Sequence, residues 1–251
     1  MRTFERLIIE KPLGAVKRYY EKYKHKPELT EFSSTRDKNL VFRSACNYKQ
    51  LDVALWLYEL HDDIEFDYQD IGEDTGPYVS YLKYIVYEYG YKVHARSPFI
   101  DACCLGNIDV AKWLLNMDPN INISAGKESA MFGICRRGDI EMAKWLLEVK
   151  PDIKLTANNH CILRVACEKG YMNIVKWLLE LYPHLDPHTT MRSAFIIACI
   201  NGQLEIAQLL YNMCPKCGRS GIGNSDCNDS VLEDINRNGH GDVAKWFLEK
   251  I

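Results

Sequence analysis

One phrase of about ten residues returns along this chain at a fixed spacing, and nothing else in it restricts the fold as much. It runs glycine, any residue, hydrophobic, acidic or Asn, hydrophobic, Ala or Val, any residue, then Trp-Leu-Leu. Its copies centre on Trp113, Trp145, Trp177 and Leu209, each 32 residues after the last. Trp56 lies upstream in the same phrase, and Trp246 closes the series after a 37-residue step. A period of this length predicts stacked small units that bury their apolar faces on one another, not one central core.

The stretch from Ser129 to Asn159 shows what one unit is made of. A serine start, the apolar run Met131 to Cys135 and the stop at Arg136-Arg137-Gly138 predict a short helix. Asp139 then opens a second helix, Ile140 to Val149, with Ile140, Ala143, Leu146 and Leu147 on one face. Lys150-Pro151-Asp152 ends it, and Ile153 begins an extended link. Pro119, Pro151, Pro183 and Pro215 all fall six residues after the tryptophan place. Ile64, Ile121, Ile153, Leu185 and Cys217 follow at a common position, where an apolar residue folds back onto the seam. The tryptophan is expected in the core between units, with a partly exposed contact role as the alternative.

Composition excludes several classes. A net charge of −3 argues against a general nucleic-acid binder, and no apolar run is long enough to span a membrane. Of ten cysteines, five (Cys46, Cys103, Cys135, Cys167 and Cys199) hold one repeat position, three residues before the phrase glycine or its replacement. Small residues there let helices approach closely, so reduced, buried thiols in a reducing compartment are expected.

The unit resembles the ankyrin repeat. Ser97-Pro98-Phe99 stands where that family has Thr-Pro-Leu, Ala102-Cys103-x-x-Gly106 replaces its Ala-Ala-x-x-Gly, and Trp113-Leu114-Leu115 covers its second-helix leucines. Gly90 to His94 is similar to its finger, Gly-Ala-Asp-Val-Asn. The tryptophan and the Pro-Asp/Asn-Ile finger start look like the variety encoded by giant DNA viruses of protists. Most units lack the Thr-Pro-Leu-His tetrapeptide. The resemblance implies an all-α solenoid of helix-turn-helix units with finger loops, in a single array over 1–251. Within it, 1–31 is an N-terminal cap, 39–66 a repeat and 67–95 a degenerate repeat with Tyr84 in the tryptophan place. Regular repeats cover 97–128, 129–160, 161–192 and 193–224, and 225–251 is a capping repeat with a loop insertion.

Three irregular features have alternative readings. Tyr78, Tyr81, Tyr84, Tyr87, Tyr89 and Tyr91 cluster as either an aromatic seam or an interaction patch. Phe4, Leu7, Ile8, Val16, Tyr19, Tyr20 and Tyr23 form the apolar faces of the N-terminal cap, and Arg2, Lys17, Arg18, Lys22, Lys24 and Lys26 its basic outer side, read as solvated charge or, alternatively, as a site for an anionic partner. Cys214-Pro215-Lys216-Cys217-Gly218 reads first as structural thiols, since Pro215 and Cys217 occupy ordinary repeat positions. The alternative is a zinc site completed by Cys227 and His240. No catalytic motif is present, so an enzyme is not expected and no cofactor is called for.

The functional expectation is a non-catalytic, monomeric scaffold that binds a partner protein through its fingers and the concave first-helix face, and neither nucleic acid nor membrane. Core positions are fixed by stacking, while Arg136-Arg137, Glu168-Lys169 and Ile200-Asn201 vary at one pair of sites. The finger stretches vary likewise. Candidate contact residues are Asn122, Ser124, Lys127, Arg136, Arg137, Lys154, Asn158, His160, Glu168, Lys169, His188 and Arg192. The viral resemblance implies an alternative, a substrate adaptor for a host ubiquitin ligase. It also implies an intracellular, reducing location, in the cytoplasm of an infected host cell if that kinship holds.

Overall fold

Five of the described helix pairs are organised around a glycine turn, and the backbone shows why glycine is needed there. In the computed structural model the chain is described over residues 3–25, 34–64, 97–155, 157–183, 192–213 and 225–250. Gly106, Gly138, Gly170, Gly202 and Gly239 all adopt positive φ, between 72° and 82°. The amide after each glycine donates back to the carbonyl five residues earlier, as Asn107 N–H does to Ala102 O at 2.8 Å and Gln203 N–H to Ala198 O at 2.9 Å. This bond closes a left-handed helix end that a Cβ disfavours. Lys49, φ 60°, is the one described non-glycine residue in that conformation, and it stands in the glycine place.

By packing, the chain divides into two compact units, Met1–Gly133 and Ile134–Ile251. The first holds three helix pairs: α1 (Thr3–Glu10) with α2 (Leu13–Tyr23), α3 (Thr35–Asn47) with α4 (Leu51–Leu60), and α5 (Pro98–Leu105) with α6 (Ile108–Met117). The division falls inside α7 (Ala125–Arg137), which pairs in sequence with α8 (Ile140–Val149). The second unit continues with α9 (Ala157–Lys169) and α10 (Met172–Leu181), α11 (Arg192–Ile200) and α12 (Leu204–Met213), then α13 (Ser225–Arg237) and α14 (Gly241–Lys250). The described residues contain no strand, and none of their helices is long and apolar enough to cross a membrane.

The second helix of the 129–160 unit spans the residues expected, and Asp139 Oδ1 caps it by accepting from Met142 N–H at 3.0 Å. Its first helix starts a turn earlier than the serine signal suggested, at Ala125. Ser129 is buried inside α7, and its carbonyl accepts from the Cys104 thiol instead of starting the helix. Gly133, also in α7, lies against α5. A Cβ added there would sit 2.2 Å from Cys104 Sγ, so the helices meet at a distance only glycine permits. Links also follow the pattern: Ile64, Ile121 and Ile153 are buried, as the fold-back predicts.

Layers in the first unit stack α1 on α3, α2 on α4, and α3 on α5. The contact of α3 with α5 joins the repeat at 39–66 to the one at 97–128. Asn107 Nδ2 donates to the carbonyls of Cys46 and Asn47, at 3.2 and 3.0 Å. The second unit uses the same device between consecutive layers. Gln203 Nε2 donates to Glu168 O at 3.3 Å, and Asn238 Nδ2 to Ile200 O at 3.0 Å. The degenerate repeat expected at 67–95, with its tyrosines, lies outside the described residues.

The tryptophans bear on two layers at once. Trp113 reaches Phe42 of the preceding layer at 6.0 Å between ring centroids, and Trp246 meets Phe195 at 6.2 Å and Tyr211 at 5.7 Å. Yet all five are only half-buried, while the residue after each (Leu57, Leu114, Leu146, Leu178 and Phe247) is buried. They belong to the edge of the seam, so the core and exposed-contact readings each describe one side of the ring. The N-terminal pair follows the same plan. Tyr20 stands edge-on to Trp56 at 5.4 Å and 82°, as Tyr211 stands to Trp246 at 5.7 Å and 82°. That correspondence aligns Arg18, which is exposed, with the tryptophan place.

Candidate functional site

The side chains that vary from repeat to repeat lie at both ends of the first helices. At the C-terminal ends, α7 finishes on Arg136, half-buried, and Arg137, exposed. The next layer finishes on Glu168 and Lys169, whose side chains pair at 2.5 Å, and the next on Ile200 and Asn201. The backbone beneath this row is pinned, because Glu168 O and Ile200 O accept the amide bonds from the following layer. The frame is fixed there and the outer side chains vary.

The links form a second row. Ile121 N–H approaches Asp118 O at 3.3 Å and Ile123 N–H meets Ile121 O at 2.9 Å; Ile153 and Leu155 repeat both contacts. This alternation buries Ile121, Ile123, Ile153 and Leu155 and leaves Asn122 and Lys154 exposed between them. Ser124 is half-buried. The backbones of Lys127, Asn158, His160 and Arg192 fall in the first turns of α7, α9, α9 and α11, with side chains outside the described set. His188 lies outside it altogether.

Within the second unit the described candidates fall at two ends of a first helix. A first helix of 13 residues such as α9 separates its own link end from its turn end by about 18 Å at 1.5 Å per residue. Within the second unit Lys154 belongs to the link end, and Arg137, Glu168 and Lys169 to the turn end. The sequence does not display this, since Lys154 stands just before α9 and Glu168 in its last turn.

Sequence reasoning missed a buried ion pair. Arg43 Nε of α3 donates to Asp101 Oδ2 of α5, and the two side chains are only 7% and 2% exposed. Asn47 Nδ2 also approaches Asp101 Oδ2, at 3.4 Å, while Asp101 Oδ1 is buried without a hydrogen-bond partner. A signal was available: aligned on the glycine turn, Asp101 coincides with Ser44, Gly133, Val165 and Ile197. A carboxylate at a site otherwise small or apolar requires a partner.

The repeat cysteines behave as small core residues. Cys46, Cys103, Cys135, Cys167 and Cys199 are buried and free, as are Cys104 and Cys161. Burial pushes all five repeat thiols up, Cys199 to about 12, so they stay protonated. Of the zinc candidates, Cys214 and Cys217 lie outside the described residues, as does the side chain of Cys227. His240 is half-buried against the preceding turn, where a Cβ on Gly202 would meet its Nδ1 at 2.4 Å. Among the described residues no group of three His, Cys, Asp or Glu side chains is placed to hold a metal ion.

Comparison with known proteins adds one finding to this geometry. The family model for ankyrin repeats, built as three copies, matches residues 99–191 and again 130–218. No curated protein matches the chain. Ankyrin repeats are generally protein–protein interaction modules and typically non-catalytic. The stretch from 99 to 218 is thus a run of ankyrin repeats, and the described residues of the chain form an all-α helical repeat fold.

Proposed function

We propose that this chain is a non-catalytic scaffold that captures a partner protein along its first helices, with the turn row and the link row as the two edges of the contact. One observation carries the reading. In the second unit interlayer amide bonds hold the turn backbone at Glu168 O and Ile200 O, so side-chain identity at the turns varies on a frame that does not. A partner touching both rows must span the roughly 18 Å of a first helix. That span suits a protein surface better than a small molecule.

The test is affinity capture with two charge-reversal variants, Arg137→Glu/Lys169→Glu for the turn row and Lys154→Glu for the link row. Both are expected to stay folded by circular dichroism, because Arg137 and Lys154 are exposed and the Lys169–Glu168 pair joins adjacent residues at the turn. Each is expected to lose the captured partner. Undiminished capture by both folded variants would reject this face. The same experiment decides the adaptor reading, which requires ubiquitin-ligase subunits among the captured proteins. Seven free, buried cysteines support a reducing, intracellular setting, and the tryptophan phrase with its Pro-Asp/Asn-Ile links supports kinship with the viral ankyrin proteins.

A further inference from the structure

A second regular pattern lies on the second helices, away from both rows just described. Four residues after the tryptophan place, the second unit carries Val149, Leu181 and Met213, which are 44%, 42% and 49% exposed. Residues four apart share a helix face. Each therefore extends the half-buried side chain before it, giving the pairs Trp145/Val149, Trp177/Leu181 and Leu209/Met213. Single exposed apolar residues are ordinary on a protein surface. A run at one register position on successive layers is a stripe, since packed helices lie about 8–10 Å apart.

Charge borders this stripe on one side. Glu148 and Glu180 stand three residues after Trp145 and Trp177, Glu205 stands four before Leu209, and all are exposed. Beyond them run Lys144 and Lys176; Lys144 lies 3.8 Å from Glu141 and leaves Glu148 nearest the apolar pairs. The stripe ends at the next layer, where Lys250 takes the place of the exposed apolar residue.

We propose that this stripe docks an amphipathic helix of a partner protein, with apolar residues every seven positions and Lys or Arg beside them. The spacing selects the helix. A helix lying across the layers presents residues i, i+7 and i+14 about 10.5 Å apart, close to the roughly 8–10 Å expected between neighbouring helices. The acidic border selects its charge. The surface is distinct from the first-helix contact proposed above and does not depend on it.

The experiment uses the full chain and synthetic 20-residue helical peptides with Leu at every seventh position and Lys on both flanks. The control series has Glu in place of Lys. Tryptophan fluorescence reads binding, with Trp145 and Trp177 as reporters. Saturable binding is expected for the Lys series alone, and Leu181→Asp/Met213→Asp or Glu148→Lys/Glu180→Lys is expected to weaken it at least tenfold. Arg137→Glu/Lys169→Glu is expected to leave it unchanged, which separates this surface from the turn row. Circular dichroism verifies folding, and single Met213→Asp, at the most exposed site, serves if the double variant unfolds. Absence of saturable binding, equal binding of the Glu series, or full binding by folded Leu181→Asp/Met213→Asp would overturn the proposal. So would concentration-dependent self-association abolished by that variant, because a second copy would then be the occupant.

Discussion

The Arg43–Asp101 pair makes the sharpest demand on the first unit. Both side chains are nearly inaccessible, at 7% and 2%, so neither charge can turn to water when its partner is removed. Asp101→Ala leaves the guanidinium buried without its carboxylate. Arg43→Met leaves a carboxylate that already has one oxygen unpartnered and keeps only the long contact from Asn47. Breaking one side of a buried pair costs about 3–5 kcal/mol, whereas replacing both sides by apolar residues is often neutral. Each single variant should therefore lose a large part of the roughly 5–15 kcal/mol that holds a domain together. With a urea slope near ~2 kcal/mol/M, the midpoint should fall by about 2 M. The double variant Arg43→Met/Asp101→Leu should return close to the parent. Urea denaturation followed by circular dichroism, with hydrogen exchange at α3 and α5, measures the cycle. Arg6→Ala is the control, because its pair with Glu10 is exposed and its loss should leave the midpoint unmoved. Singles that behave like this control, or a double equal to the sum of the singles, would refute the reasoning.

Two further outcomes follow from local geometry and are read by the same denaturation assay. Lys49→Gly should raise stability by about 1 kcal/mol, because the residue holds a positive φ that costs a side chain that much more than glycine. A lowered midpoint would mean that the Lys49 side chain contributes more than its backbone costs. Burial, then the nearby charge of Lys38, holds the His61 imidazole below its usual value. The unfolded chain therefore binds that proton more readily, so this contribution is complete above about pH 6.5 and is lost as pH falls below it. His61→Gln should flatten the fall in midpoint between pH 7.5 and pH 5; an unchanged slope would place the effect elsewhere.

The fold was legible because its determinants are local and periodic. The glycine turn, Asp139 cap and Ile140–Val149 stripe can each be read within a dozen residues. The start of α7 was not, because Ser129 is an N-cap residue by preference and its burial against α5 depends on another layer. The same limit applies to Arg43 and Asp101, 58 residues apart, whose pairing requires the stacking order. The N-terminal pair hid for a different reason. Leu13-Gly14-Ala15-Val16-Lys17-Arg18 has the outline of the phrase, but Arg18 removes the tryptophan that marked the other copies. The candidate contacts were legible as variable positions, and their division into two rows was not, since a helix puts its two ends far apart. The exposed Val149, Leu181 and Met213 were in register throughout. They passed unnoticed because an apolar residue in the last turn of an apolar stripe looks like more core.

The bridge from Asn107 to Asn47 spans 60 residues, while its counterpart from Gln203 to Glu168 spans 35. Both finish in the same contact, so the layers keep register over very different separations in sequence. Polymer statistics explain the tolerance. The entropy lost in closing a connection grows with the logarithm of its length, and the longer span costs only about 0.5 kcal/mol more. That is no more than one ordinary hydrogen bond contributes. In such a chain the links are the positions where new sequence can be acquired during evolution at almost no expense to the layers on either side.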